Sequence, residues 1–232
     1  MTFIFFQKRI KELLKNKKVF VFKLVLPSIL LLPLFFTPAN VYFIAAVTTF
    51  FVVIFGFFGA GENLGRERTR GSLQKIAVAP ISSSGVIFGE VAAHFLFGIV
   101  QFLPVLVLIL IKVPPNLTFP IALAYLISFF CTILSANTLG ILLTPILPEF
   151  RTIVFLAMLF PLMVFSGVFV SLKSWLQVAV AKFLPPSYLY QSTLLVFAKE
   201  SIFSSREVII LSLLLTLFIL VLTSALSKKI VR

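Results

Sequence analysis

Six long apolar stretches separated by short polar segments dominate the hydrophobic pattern of this chain. Each is close to the roughly 20 residues that an α-helix needs to cross a bilayer. In lipid, backbone groups must be satisfied within the spanning segment, so the pattern predicts an all-α polytopic membrane protein, a single transmembrane domain over residues 1–232. The predicted spans are 19–36, 40–61, 86–111, 117–143, 151–170 and 207–226.

The N-terminal segment, residues 1–18, has a different pattern. Apolar residues recur there at helical spacing, and lysines occupy the rest of the helix surface. The pattern predicts an amphipathic interface helix that lies among the lipid headgroups. The alternative is a plain cytoplasmic extension. The apolar positions are Phe3, Phe6, Ile10, Leu13 and Leu14.

Residues 171–206, between the fifth and sixth predicted spans, are also not a simple loop. An apolar periodicity runs to Pro185-Pro186, and the apolar stretch after it is too short to cross a bilayer. Two short re-entrant helices in the outer leaflet are predicted, with Trp175 and Tyr188 at interfacial depth.

Composition agrees with a membrane protein: 60% of residues are hydrophobic, and the mean hydropathy is +1.17. The net charge of +13 comes from residues that flank the apolar stretches, which favours topology signals and anionic lipid over nucleic acid. Fourteen basic residues fall on one side of the predicted spans and five on the other. We therefore expect a multi-pass protein of the cytoplasmic (inner) membrane, with both termini and residues 62–85 in the cytoplasm.

The chain contains few of the residues that form catalytic sites. It contains no aspartate, no P-loop, one histidine and one cysteine, Cys131. These absences exclude a Walker-type ATPase and a Ser-His-Asp triad within the chain, and a zinc site lacks ligands. We expect a non-catalytic protein that binds no cofactor of its own.

A few ionisable or amide side chains fall inside the predicted spans, where a charge is costly. Glu90 and His94 are four residues apart and share a helix face. Together with Lys23 and Gln101 they are candidates for the transport pathway, and Glu90 with His94 for a proton relay. Alternatively, Glu90 snorkels or pairs with Lys23, while His94 and Gln101 make hydrogen bonds between helices.

A charged island, residues 62–80, interrupts the apolar pattern after the second span. Glutamates and arginines there are spaced as helical ion pairs, and Gly71 permits a turn. Leu73 and Ile76 then form a small apolar ridge that ends at Pro80. The island is typical of a helix that docks into a groove of a partner, and the alternative is a solvated loop anchored to lipid by its arginines.

At these residues the chain resembles the permease subunits of ABC type-2 transporters, in the drug and polysaccharide export branch. Their pattern is roughly E-R-E-x-G-[ST]-L-[ED]-x-[LI]-x-x-[ST]-P. Gln74 and Ala79 depart from it. Residues 165–172 and 185–188 are similar to two further family motifs. The matching positions are Arg66, Glu67, Gly71, Ser72, Leu73, Ile76 and Pro80.

The resemblance implies an exporter of an amphipathic or lipid-linked substrate, such as a drug, lipid or polysaccharide. It implies pairing with a second permease copy or homologue, and a separate ABC ATPase subunit that carries ATP and magnesium. A coupling helix around Leu73 would enter the ATPase groove, and Trp175 and Tyr188 would form an external gate. The residues implied as ion-paired struts are Arg66, Glu67, Arg68 and Arg70.

Other hypotheses stay open on sequence alone. Within the same family, a haem-exporter-like permease of cytochrome c maturation has a similar length and an Ala93-His94 pair early in the third span. From another class, a proton-coupled secondary transporter would use Glu90 and His94, although no inverted repeat is evident. An intramembrane enzyme lacks a nucleophile, base and acid set.

Overall fold

A computed structural model describes residues 2–15, 17–32, 40–69, 71, 82–113, 115, 117–143 and 151–231. Within these ranges the chain is helical and has no β-strand. The helices are α1 (Thr2–Lys15), α2 (Lys17–Leu31), α3 (Val41–Thr69), α4 (Ser83–Lys112), α5 (Phe119–Leu143), α6 (Arg151–Phe165), α7 (Trp175–Ala181), α8 (Pro185–Phe197) and α9 (Ser205–Val231).

Four of these helices, α3, α4, α5 and α9, are long and apolar enough to cross a membrane. They coincide with the second, third, fourth and sixth predicted spans. The first and fifth predicted spans coincide with α2 and α6, which are 15 residues each and shorter than a full crossing. The chain is thus an all-helical, multi-pass membrane protein, and the count of six spans stays a prediction.

Helix α5 lies at the centre of the bundle, packed against α3, α4, α8 and α9. It passes very close to α3 at Gly140. A Cβ atom at Gly140 would lie 2.1 Å from the carbonyl oxygen of Phe57, and one at Gly56 would lie 2.9 Å from the Cβ of Ala136. The absence of a side chain therefore sets this crossing, in the way that small residues allow close helix packing in membranes.

Hydroxyl groups hold the other faces of α5. The Ser128 and Ser192 hydroxyls are 2.6 Å apart and join α5 to α8, and the Ser135 and Thr216 hydroxyls are 2.9 Å apart and join α5 to α9. All four residues are buried. Hydrogen bonds of this kind, together with close packing, drive helix association in lipid, where the hydrophobic effect does not act between helices.

The segment between α6 and α9 contains two short helices. A capping box formed by Ser174 and Gln177 starts α7, and Pro185 and Pro186 occupy the first turn of α8, where their missing N–H groups cost nothing. Most of α8 is buried. Tyr188 is 1% exposed and packs against the Phe203 ring, whereas Trp175 is 81% exposed.

Candidate functional site

Three helices meet around one arginine at the end of the bundle where α3 ends and α4 begins. Helix α1 packs along α4 and brings Arg9 to this point. Helix α3 runs beyond its apolar residues to Thr69, and so carries Glu67 past the apolar core. The Ser82 side chain caps α4 by accepting a hydrogen bond from the Gly85 N–H at 3.1 Å.

The guanidinium of Arg9 donates to three carboxylates. Its Nε lies 2.6 Å from Oε2 of Glu90 on α4, and its Nη2 lies 3.0 Å from Oε1 of Glu67 on α3. Its Nη1 lies 2.6 Å from Oε2 of Glu12, on its own helix. We call Arg9 and these three glutamates the Arg9 cluster. It joins α1, α3 and α4 through one planar group, which only arginine among the side chains can supply.

Burial separates this cluster from an ordinary surface network. The Arg9 side chain is 12% exposed and that of Glu90 is 4% exposed. Burial opposes the charged form of Arg9, but the nearby Glu90 and Glu67 carboxylates outweigh it, and the pKa of the guanidinium is raised above its usual value. Arg9 is therefore a permanent cation, and no proton is exchanged at this position.

His94 extends the cluster one helical turn further into α4. Its Nε2 lies 3.1 Å from Oε1 of Glu90 and 2.9 Å from the Asn63 side-chain amide. A protonated Nε2 donates to the Glu90 carboxylate, whereas an unprotonated Nε2 accepts from the Nδ2 amide group of Asn63. His94 thus makes a second connection between α3 and α4.

The predicted coupling residues at the end of α3 do not all share one environment. Arg66 is exposed and pairs with Glu62 at 2.5 Å, as the i, i+4 spacing predicts. Glu67 belongs to the Arg9 cluster. Arg68 is half-buried, and its Nη1 has no hydrogen-bond partner in the part of the chain that is described. Gly71 has φ +70°, which confirms the predicted turn.

The other predicted pathway and coupling residues fall into three groups. His94 and Gln101 are buried on α4, at 5% and 4% exposure. Lys23 belongs to α2, and its side chain lies outside what the structure describes. The remaining coupling residues also lie outside the described residues: Arg70, Ser72, Leu73, Ile76 and Pro80.

The most connected residue of the site, Arg9, was missed by sequence reasoning, as was its partner Glu12. A signal for both was present. Arg9 is the only arginine and Glu12 the only acid among residues 1–18, where every other charged side chain is a lysine. A single arginine among lysines is typical of a position that needs the planar fork of donors of the guanidinium.

Comparison with known proteins identifies the family. The model of the ABC-2 type transporter family matches residues 2–198, which covers α1 to α8 and the whole Arg9 cluster. None of the curated proteins compared with the chain matches it. Because the match covers most of the chain and agrees with its apolar helices, this protein belongs to the ABC-2 type transporter family and is a membrane-spanning ABC transporter permease.

Proposed function

We propose that this chain is the membrane subunit of an ATP-driven exporter that moves an amphipathic or lipid-linked substrate out across the cytoplasmic membrane. Membership of the family implies association with an ABC ATPase subunit. In this proposal ATP and magnesium bind to that partner, two permeases pair, six spans cross the membrane, and both termini are cytoplasmic. The basic residues on the α1, α3 and α9 termini support that orientation.

The observation that carries the proposal is the position of the Arg9 cluster. Glu67 lies at the end of α3, just before the predicted coupling segment, and Glu90 lies two turns into α4, just after it. Arg9 joins both to α1. A push on the coupling segment would therefore reach α1, α3 and α4 together, because a buried pair resists separation more than an exposed one.

Arg68 lies in the last turn of α3, just before the predicted coupling segment. Its Nη1 is buried and has no hydrogen-bond partner among the described residues. A buried guanidinium N–H without an acceptor is costly, so a rearrangement of this turn that brings Nη1 to an ATPase carboxylate would be favourable. Arg66, paired with Glu62 on the exposed side, would brace the same turn.

The first test is whether the partner exists. We expect the tagged full chain, expressed in its own cells and extracted in mild detergent, to copurify with a P-loop protein that hydrolyses ATP. Mass spectrometry identifies that protein. Transport by purified vesicles that needs a proton gradient and no ATP would overturn the proposal.

The same preparation addresses the cargo. Mass spectrometry of bound lipid and glycan distinguishes a lipid-linked substrate from a drug-like one. The visible absorbance of bound haem would identify the haem-exporter branch instead.

The contacts of Glu90 argue against a proton relay. Both of its carboxylate oxygens already have partners, Arg9 and His94. This arrangement favours a structural pairing over a group that must load and release a proton.

A further inference from the structure

Two grooves lie side by side on the N-terminal helix α1. One groove, of about 150 Å³, lies where α1 meets α4 and the start of α2, and we call it the apolar groove. The other, of about 340 Å³, runs along α1 itself, and we call it the basic groove. Every residue of the apolar groove is aliphatic or aromatic: Ile10, Leu14, Phe20, Leu96, Phe97 and Val100.

The basic groove carries positive charge that no described acid compensates. Lys11 and Lys15 line it, are exposed, and form no ion pair within the part of the chain that the structure describes. Glu12 lines the same groove, but its carboxylate is already held by Arg9 at 2.6 Å and by Lys8 at 3.7 Å. The groove therefore offers two ammonium groups to an anion.

The two grooves are adjacent because their residues alternate in the sequence. Lys11 follows Ile10, and Lys15 follows Leu14. Consecutive residues of an α-helix are about 100° apart around its axis, so each lysine lies beside an apolar residue of the other groove. Leu14, at the boundary, is 49% exposed. One molecule with a hydrocarbon chain and an anionic group can therefore fill both grooves.

The apolar groove also marks the point where α4 becomes exposed. From Ser83 to Phe95, a stretch that includes the contact of Glu90 with α1, Phe88 is the one exposed residue. Beyond Phe95, exposed apolar side chains recur at helical spacing along one side of α4. Because α4 is long and apolar enough to cross a membrane, this side contacts acyl chains or another apolar protein surface. Its residues are Leu96, Val100, Leu103, Val107, Leu110 and Ile111.

The lysines favour lipid over a second copy of the chain. Two copies inserted in the same direction and paired through this side of α4 would hold Lys11 and Lys15 at the same depth as their counterparts, and like charges repel. A phospholipid instead places its phosphate where the apolar surface ends, and lysine stems extend over apolar surface towards such a headgroup.

We propose that the two grooves form a binding site for one anionic phospholipid. An acyl chain lies against Leu14, Leu96 and Val100, and the phosphate lies between Lys11 and Lys15. Whereas the sequence pattern places α1 among headgroups in general, this site holds one lipid of defined charge at one position. Binding requires neither an ATPase nor a second permease, so the site goes beyond the proposed function and is tested independently of it.

Native mass spectrometry of the detergent-solubilised full chain measures binding. The probes are dioleoyl phosphatidylglycerol and dioleoyl phosphatidylcholine, which have the same acyl chains and differ in headgroup charge. We expect the first phosphatidylglycerol to bind about tenfold more tightly than the second, and about tenfold more tightly than phosphatidylcholine. Equal affinity for the two lipids, or a series of phosphatidylglycerol molecules of similar affinity, would overturn the proposal.

A double variant locates the headgroup. Lys11→Gln combined with Lys15→Gln removes two exposed charges, and we expect it to weaken binding of the first phosphatidylglycerol about tenfold. The matched control is Lys228→Gln combined with Lys229→Gln. These two exposed lysines lie near the end of α9, where Ile230 and Val231 pack with α3 and α4, and they line neither groove. Equal losses in the two double variants, or no loss in either, would reject the site.

Competition in the wild-type chain tests the apolar half of the site without any variant. Oleoyl lysophosphatidylglycerol, which has one acyl chain and the same headgroup, should displace the bound phosphatidylglycerol. Glycerol 1-phosphate, which has no acyl chain, should displace it at least tenfold less well at matched ionic strength. Equal displacement by the two compounds would show recognition of a phosphate alone and would overturn the lipid assignment.

A crosslinker at the boundary of the two grooves identifies the occupant in a bilayer. p-Benzoylphenylalanine is placed at position 14 of the full chain, in nanodiscs that contain equal amounts of the two lipids. On illumination we expect adducts mainly with phosphatidylglycerol. Equal adducts with both lipids, or a crosslink to a second copy of the chain, would overturn the proposal.

Discussion

Arg9 and Glu90 are 81 positions apart in the chain, yet Nε of the arginine lies 2.6 Å from Oε2 of the glutamate. The two side chains are 12% and 4% exposed. This pair fixes the N-terminal helix to α4, and the bond from Arg9 to Glu67 fixes both to the end of α3. In a bundle whose other contacts are mainly apolar, these bonds give α1 one defined position.

Removal of one partner of the pair should be more harmful than removal of both. We expect Arg9→Met to destabilise the protein by about 3–5 kcal/mol, because it leaves Glu90 and Glu67 buried without their counter-charge. The double variant Arg9→Met with Glu90→Gln should recover part of this loss. Thermal unfolding of the detergent-solubilised chain measures both, and a double variant as unstable as the sum of the single variants would contradict the coupling.

The pair of Glu62 and Arg66 is the matched control. It has similar chemistry and a 2.5 Å contact, but its side chains are 47% and 59% exposed. Arg66→Met should therefore cost less than about 1 kcal/mol. A loss as large as that of Arg9→Met would mean that burial does not explain the strength of the Arg9 cluster.

Local patterns explain which parts of this structure were predictable. The four long helices follow from apolar length alone, since about 20 apolar residues have few alternatives to a membrane helix. The turn at Gly71 and the Glu62–Arg66 pair were also correct, because both depend on residues a few positions apart.

The Arg9 cluster could not be found in the same way. Glu67 on α3 contacts Arg9 and Lys8 on α1, and both contacts join residues that are far apart in the sequence. The position of α1 against α4 depends on tertiary packing, and the spacing of apolar residues within one helix does not predict it. The α3–α5 crossing likewise depends on Gly140 meeting the Phe57 carbonyl, and nothing adjacent in sequence indicates that contact.

Gly140 should tolerate no side chain. Replacement of a mid-helix glycine by alanine normally favours a helix by about 0.5–1 kcal/mol. At Gly140, however, the new Cβ would lie 2.1 Å from a backbone oxygen that cannot move without shifting α3. We expect Gly140→Ala to lower the melting temperature and the yield of folded protein, measured by size-exclusion chromatography with a fluorescent fusion.

Gly59→Ala provides the comparison. Its Cβ would lie 3.3 Å from Nδ1 of His94, the end of a side chain that can give way. This variant should fold close to the wild-type level. If Gly59→Ala and Gly140→Ala were equally harmful, loss of glycine itself, and not the α3–α5 crossing, would be the cause.

Variants of the coupling segment should separate ATP hydrolysis from transport. We expect Arg68→Glu, Glu67→Lys and Leu73→Asp to insert into the membrane and to reduce transport by tenfold or more, roughly 1.4 kcal/mol of coupling. Because Glu67→Lys also places a second cation beside Arg9, transport is compared at equal amounts of folded protein. ATP hydrolysis by the copurified partner should continue without stimulation by substrate. Lys173→Glu, an exposed charge reversal between α6 and α7, is the control. Wild-type transport by the three coupling variants would disprove the coupling assignment.

Neutralisation of Glu90 tests whether the cluster carries protons or only holds helices. Glu90→Gln keeps an acceptor for Arg9 but removes the carboxylate that a proton relay would need. If the cluster is structural, ATP-driven export into inverted vesicles should be unaffected by a protonophore in both wild type and variant, even where the variant is less stable. His94→Gln serves as the matched change on the same helix face. A wild-type activity that depends on the proton gradient and disappears in Glu90→Gln would instead assign secondary transport to this chain, with Glu90 and His94 as the relay.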